Sequence, residues 1–267
     1  MNVSDGSYIK YYFINNPDNK NMYIFIHGLG AEINIFNNII EGLLQTRNPP
    51  TILLIVLRGH FDSKYSHTYN GEQLLDRCAL DIIEIINSIP NKYPHSIISH
   101  SLGTIITYKS CCLGLNIPYI YLIGPVYCLS EEQKVTAYYM GKCINLLYNN
   151  SLIYNIINVI PLLPKTLQEN FYILENGNKD VLANYIDMIK YINLKTLFYK
   201  YPPSTLSCKN IVIFQGLFDN VTIPYGSIKL NIDYNIPVIW LDCGHIPFDL
   251  TNSKIIINTI LANNLQS

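Results

Sequence analysis

Ser96-Ile97-Ile98-Ser99-His100-Ser101-Leu102-Gly103-Thr104-Ile105-Ile106-Thr107-Tyr108 decides how the chain is read. A short apolar run, Ser96 to Ser99, predicts a buried strand. It passes straight into a turn at Ser101, and Ile105, Ile106 and Tyr108 then fit a helix that begins there. A serine on so sharp a strand-to-helix turn is lifted above the sheet with its Oγ exposed. The flanking positions must be small because the turn is crowded. Gly103 meets that need, and Ser99 stands where Gly is usual in the Gly-x-Ser-x-Gly pattern. The competing explanation is a serine that merely caps a helix.

Outward from this turn, short apolar runs alternate with segments of helical period, the pattern of a mainly parallel sheet covered by helices on both faces. Strands are expected at Tyr8 to Ile14, Met22 to Ile26, Ile52 to Leu57, Tyr119 to Ile123, Ile211 to Phe214 and Val238 to Leu241. Helical stripes run through Ile35, Phe36, Ile39, Ile40 and Leu43, and through Leu74, Cys78, Ile82, Ile85 and Ile89, where Pro90 ends the helix. These stripes read as core. Ile255 to Leu265 forms the closing helix.

The alternation breaks between Gly124 and Asn210. Ser130 with Gln133 makes a capping-box pattern. A second helical segment follows Asp180 and carries Leu182, Tyr185, Ile186 and Ile189. Residues 126–208 are therefore expected to form a helical cap inserted into a core made of residues 1–125 and 209–267. A structureless loop of that length is improbable.

Three further signals accompany Ser101. His27-Gly28-Leu29-Gly30 directly follows a buried strand, and such a turn can aim a backbone N–H at a developing oxyanion. The nominated donors are the amides of Leu29 and Leu102, although glycines used only for turning would explain the same motif. Of the six histidines, His27, His60, His67, His95 and His100 precede Ser101, and only His245 follows it. The chain order serine, acid, histidine thus leaves His245 as base. Asp219 lies just past the strand Ile211 to Phe214 and is the candidate acid. A turn-forming aspartate is its alternative role. Asp242 ends a strand, and Asp249 opens the closing helix.

Taken together, these motifs resemble the α/β-hydrolase superfamily, in particular its capped lipase, esterase and C–C hydrolase group. Arg58-Gly59-His60-Phe61-Asp62-Ser63 is similar to the Arg-Gly-His-Gly-x-Ser segment of that group, with Phe61 in place of a glycine. The resemblance implies Ser101, Asp219 and His245 as catalytic triad and an acyl-enzyme mechanism. It also implies that no cofactor or metal is needed, and a short N-terminus that lacks the first antiparallel strand. The expected activity is cleavage of a carboxylic ester in a small, largely apolar acyl substrate. The same triad also serves cleavage of C–C bonds, lactones or thioesters. A ligand-binding receptor or scaffold on a hydrolase fold is the rival of another class.

Composition limits the rest. The chain has 267 residues, 49% hydrophobic and 14% charged, with formal net charge −1. No basic stretch suggests a nucleic-acid partner. Seven cysteines, an odd number with no Cys-x-x-Cys pair, suggest neither a disulfide framework nor a zinc site. No signal-peptide pattern occurs at Met1 to Asp18, and no apolar run is long enough to span a bilayer. A cytoplasmic protein is expected; the sequence says nothing about oligomeric state.

Overall fold

The computed structural model describes residues 1–128 except 68, 70 and 91, residues 185 and 188, and residues 193–264 except 208 and 209. The strands are β1 (Tyr11–Ile14), β2 (Asn21–Ile26), β3 (Thr51–Ile55), β4 (Tyr93–His100), β5 (Tyr119–Ile123), β6 (Asn210–Gly216) and β7 (Val238–Leu241). They form one sheet in the order β1-β3-β2-β4-β5-β6-β7. Only β1 is antiparallel to its neighbour, β3; the other pairs are parallel. An antiparallel edge strand is thus present. It is shorter than the expected Tyr8 to Ile14, because Tyr8 instead bridges to Lys64.

The described helices are α1 (Asn37–Leu44), α2 (Gly71–Asn87), α3 (Leu102–Cys112), α4 (Leu194–Lys200), α5 (Pro224–Tyr234) and α6 (Leu250–Asn264). The two-residue alternation of a strand splits the core into two layers. Ile24 and Ile26 of β2 pack with Ile82 of α2 and Ile105 of α3, while Tyr23 and Phe25 pack with Ile39 of α1 and Ile256 of α6. Parallel strands covered on both sides must be apolar throughout. All five residues of β3 and of β5 are accordingly buried.

Helix α5 did not stand out in the sequence. Pro224 occupies its first turn, where a missing N–H costs nothing. Its buried positions, Gly226, Ser227 and Leu230, make no apolar stripe. The two helix-like segments expected after Ser130 and after Asp180 lie outside the described residues, apart from the helical Tyr185 and Met188. Helix α4, at the end of that interval, is capped by Asn193 and Thr196. It lies against α3, with Phe198 stacked on Tyr108.

One polar cluster sits inside this apolar frame. Arg58, just past β3, donates from Nε and Nη2 to both oxygens of Asp81 (2.9 and 2.8 Å) and from Nη1 to Asp5 and Ser7 (2.9 and 2.6 Å). Arg77 shares Asp81 and reaches Glu84. Glu84 in turn accepts from the backbone and hydroxyl of Ser4. Burial disfavours the Asp5 carboxylate, but hydrogen bonds from Ser7 and Arg58 outweigh it and hold its pKa well below the ordinary range. The N-terminal segment is thereby clipped to α2.

Breaking a buried ion network from one side strands the remaining charge. Arg58→Gln should therefore lower the unfolding free energy by about 3–5 kcal/mol in urea titrations. Arg58→Lys should recover only part of this, because an ammonium cannot reproduce the planar fork on Asp81.

Candidate active site

The register places four loops at one edge of the sheet. Ile26 pairs with Ser99, His100 with Ile123, Ile123 with Phe214, and Gly216 with Leu241. The loops that leave β2, β4, β6 and β7 carry Leu29, Ser101, Asp219 and His245 respectively. This is the carboxyl edge, where open α/β sheets bind ligands.

Ser101 has φ 50° and ψ −119°, a conformation that L-residues rarely adopt. Strain of this kind costs roughly 1–3 kcal/mol and needs a surrounding frame to hold it. Here Ser101 N–H donates to the carbonyl of Ile123 (2.9 Å), and Thr104 donates from its backbone N–H and its hydroxyl to the Ser101 carbonyl (2.9 and 2.6 Å). A Cβ on Gly103 would sit 2.6 Å from the Ile26 carbonyl oxygen and 2.7 Å from that of His27, so only glycine fits. Ser99 is accommodated without difficulty. It is fully buried, and its hydroxyl faces the Tyr121 carbonyl at 3.4 Å.

Asp219 makes two sets of contacts, one within its own turn and one toward His245. Oδ1 accepts the backbone N–H groups of Val221 and Thr222 (2.9 and 2.8 Å), which makes the turn. Oδ2 faces His245 Nδ1 at 2.9 Å and also accepts from the Thr222 hydroxyl (2.6 Å) and Gln215 Nε2 (3.2 Å). Burial pushes the Asp219 pKa up, but the bonds from His245 and Thr222 outweigh it, and the net shift is downward. Asp242 is exposed, and Asp249 caps α6 through Thr251 and Asn252.

His245 packs against Gly124, where a Cβ would lie 3.2 Å from two atoms of its ring. Its carbonyl faces His100 Nε2 at 2.9 Å, so that nitrogen carries the proton. His100 Nδ1 is buried without a hydrogen-bond partner among the described residues. Burial and the neighbouring His245 hold the His100 pKa down to about 3. Among the described residues no hydrogen bond joins Ser101 Oγ to His245.

The loop after β2 is shaped by imidazoles. His27 Nε2 accepts the Leu57 N–H (2.9 Å), so its Nδ1 must be the donor to the Gly28 carbonyl (2.7 Å). Burial and the neighbouring His60 keep it neutral, with a pKa near 3. The Gly28 carbonyl and the Leu29 N–H share one planar trans peptide and point in opposite directions. Among the described residues neither the Leu29 nor the Leu102 amide donates a backbone hydrogen bond; Leu102 opens α3, where such donors are free. The loop runs close to the serine, since a Cβ on Gly28 would lie 3.0 Å from that of Ser101.

All five nominated residues therefore lie along one edge. The contributions of Thr222, Gln215, His100 and Gly124 escaped the sequence reading. His100 and Gly124 meet His245 across more than 100 residues, while Thr222 and Gln215 lie within four residues of Asp219 but carry no motif that marks them. His95 stacks between Tyr23 and Tyr119, a structural use. Among the described residues no group of three or more His, Cys, Asp or Glu could hold a metal ion. No helix of the described residues is long and apolar enough to cross a membrane.

No protein-family model matches the chain, and no curated protein matches it. Solved structures do. A hydrolase from Pseudomonas aeruginosa aligns over 98% of this chain and 96% of its own, with TM-score 0.75 and 14% identity. An esterase from Exiguobacterium antarcticum aligns over 98% and 97%, with TM-score 0.74 and 16% identity. The enol-lactonase from Burkholderia xenovorans LB400 aligns over 97% and 96%, with TM-score 0.72 and 13% identity. At such identities the likeness establishes the architecture.

The lowered pKa of Asp219 has a definite sign. A carboxyl depressed on folding adds stability above its unfolded value, about 3.9, and loses it as pH falls through the folded value. The Asp219 side-chain carboxyl carbon should titrate below about 3.9 by NMR. The stability advantage of the wild type over Asp219→Asn should be full at neutral pH and shrink in that acid range.

Proposed function

The chain has the α/β-hydrolase fold, and on that fold we propose that it is a serine hydrolase cleaving the carboxylic ester of a small, largely apolar substrate through an acyl-enzyme. The observation that carries this reading is the Asp219–His245 pair, 2.9 Å apart, on the sheet edge that also presents Ser101 on its strained turn. A serine hydroxyl is a weak nucleophile unless a base takes its proton as it attacks. In this mechanism His245 Nε2 accepts the Ser101 proton while Oγ adds to the substrate carbonyl. Asp219 keeps the proton of the resting imidazole on Nδ1 and stabilises the imidazolium that forms. The amides of Leu29 and Leu102 receive the oxyanion. His245 then returns the proton to the leaving alkoxide. Water, deprotonated by the same imidazole, releases the acid and restores Ser101.

In this mechanism Ser101 Oγ and His245 Nε2 come together in the reacting complex, where catalytic hydrogen bonds commonly tighten. Neighbours named as esterases and an enol-lactonase fit acyl–oxygen cleavage. Residues 126–208 are the proposed cap and supply the apolar wall for the acyl chain. The free cysteines Cys78, Cys111, Cys112, Cys128 and Cys243 suit a reducing compartment, the cytoplasm.

A fluorophosphonate should label Ser101, and Ser101→Ala should abolish both labelling and turnover of chromogenic esters. Labelling that persists in Ser101→Ala would remove the serine from this role. Asp219→Asn should lower kcat by up to about 10⁴-fold, as the corresponding change does in the serine-protease precedent. The exposed Asp242→Asn should leave it unchanged. The reverse ranking would transfer the acid role to Asp242.

A further inference from the structure

His60 takes no part in the proposed chemistry, yet it is fully buried and touches the loop that follows β2. Its Nε2 lies 2.9 Å from the Gly30 backbone N, which can only donate. Its Nδ1 faces the Arg58 carbonyl at 3.1 Å, which can only accept. The two partners together demand a neutral ring with the proton on Nδ1. Burial supports this by lowering its pKa to about 4.

The backbone that carries His60 is strained to aim it there. Gly59 has φ 70° and Phe61 has φ 45°, a left-handed conformation that costs a side-chain-bearing residue about 1–2 kcal/mol. The turn is held on both sides. His60 N–H donates to Leu57, Ser63 N–H donates to His60, and the Ser63 hydroxyl donates to Val56. The ring is wedged between His27, at 4.9 Å between centroids, and Tyr185, at 5.4 Å. Tyr185 comes from the interval between β5 and α4. Its hydroxyl donates to the same Arg58 carbonyl (3.1 Å), with the Cys78 thiol at 3.0 Å.

The consequence concerns Leu29. His27 fixes the peptide plane before its Cα through the Gly28 carbonyl, and His60 fixes the plane after it through the Gly30 N–H. We propose that His60 is a positioning residue for the oxyanion loop, a neutral acceptor that locks the Leu29–Gly30 peptide and so, with His27 holding the plane before it, keeps Leu29 and its N–H in place. This rests on the serine-hydrolase reading above. In that reading an oxyanion donor works only if it is already oriented, so a loosened loop should harm the transition state more than the bound substrate.

The test compares the full-length wild type with His60→Phe, which keeps a ring but no acceptor, and His60→Gln, whose amide oxygen can replace Nε2. Kinetics on a chromogenic ester are paired with inhibition by a trifluoromethyl ketone, which mimics the tetrahedral state. His60→Phe should lower kcat about 10–100-fold with KM nearly unchanged and weaken the ketone by a similar factor, less than the roughly 10²–10³-fold cost of removing an oxyanion donor outright, because the donor is loosened and not lost. His60→Gln should restore most of both. Histidine ¹⁵N shifts of the wild type should show His60 with its proton on Nδ1, a readout that stands even where His60→Phe fails to fold. An active enzyme in which His60→Phe leaves kcat and ketone affinity intact, or in which only KM rises, overturns the role. So does a His60 protonated on Nε2. A wild type inert to both fluorophosphonate and esters overturns the hydrolase reading itself, whatever the tautomer.

Discussion

The backbone of Ser101 is the constraint around which the carboxyl edge is arranged. To turn from β4 into α3 in one residue, the chain adopts a conformation that it would not keep unaided. The turn therefore needs support from below, beside and behind. The Ile123 carbonyl of β5 takes its N–H, Thr104 of α3 takes its carbonyl, and Gly103 lets β2 approach within backbone contact. Those supports also hold the loops that follow β2 and β5 close to the serine, so the strain at one residue sets the geometry of the neighbours that serve it.

Around this turn four imidazoles meet, and environment divides their labour. His27, His60 and His100 are buried and neutral, each with a ring nitrogen bonded to backbone. They act as rigid spacers; His27 and His60 each use one donor and one acceptor, and His100 uses its donor alone. His245 differs because a buried carboxylate, fixed by Thr222 and Gln215, stands at its Nδ1. One residue type thus supplies both scaffold and candidate base. Burial without a carboxylate partner makes the first, and burial of the carboxylate beside a partly exposed ring makes the second.

The ion network at Arg58 belongs to the same economy of support. Its guanidinium binds the N-terminal segment and α2, while its carbonyl receives His60 and Tyr185. A charge cluster far from Ser101 in sequence thereby anchors the turn that presents His60 to the loop after β2. Phe61 sharpens the point. The resembled segment has glycine at that position, and the φ of 45° found here is one that favours glycine.

How much of this was legible in the sequence follows from the range of each interaction. Burial on both faces forces continuous apolar runs, so β2, β3 and β5 could be read within a residue or two. The elbow at Ser101 is local too, because crowding restricts its neighbours to small residues. Chain order alone left His245 as the base, and its position after the last strand agreed. Asp219 was readable as a turn residue past β6, but whether its second oxygen met His245 depended on parallel register between β6 and β7. Helix α5 was missed because its buried side holds Gly226, Ser227 and Leu230, which make no stripe. The remaining contacts were decided by tertiary structure alone: His60 to Gly30 across 30 residues, His100 to His245 across 145, and Tyr185 to Arg58 across 127. Local pattern encodes which face of a strand or helix is apolar. Which polar atom stands opposite another is set only when the sheet's register brings distant segments to the same edge.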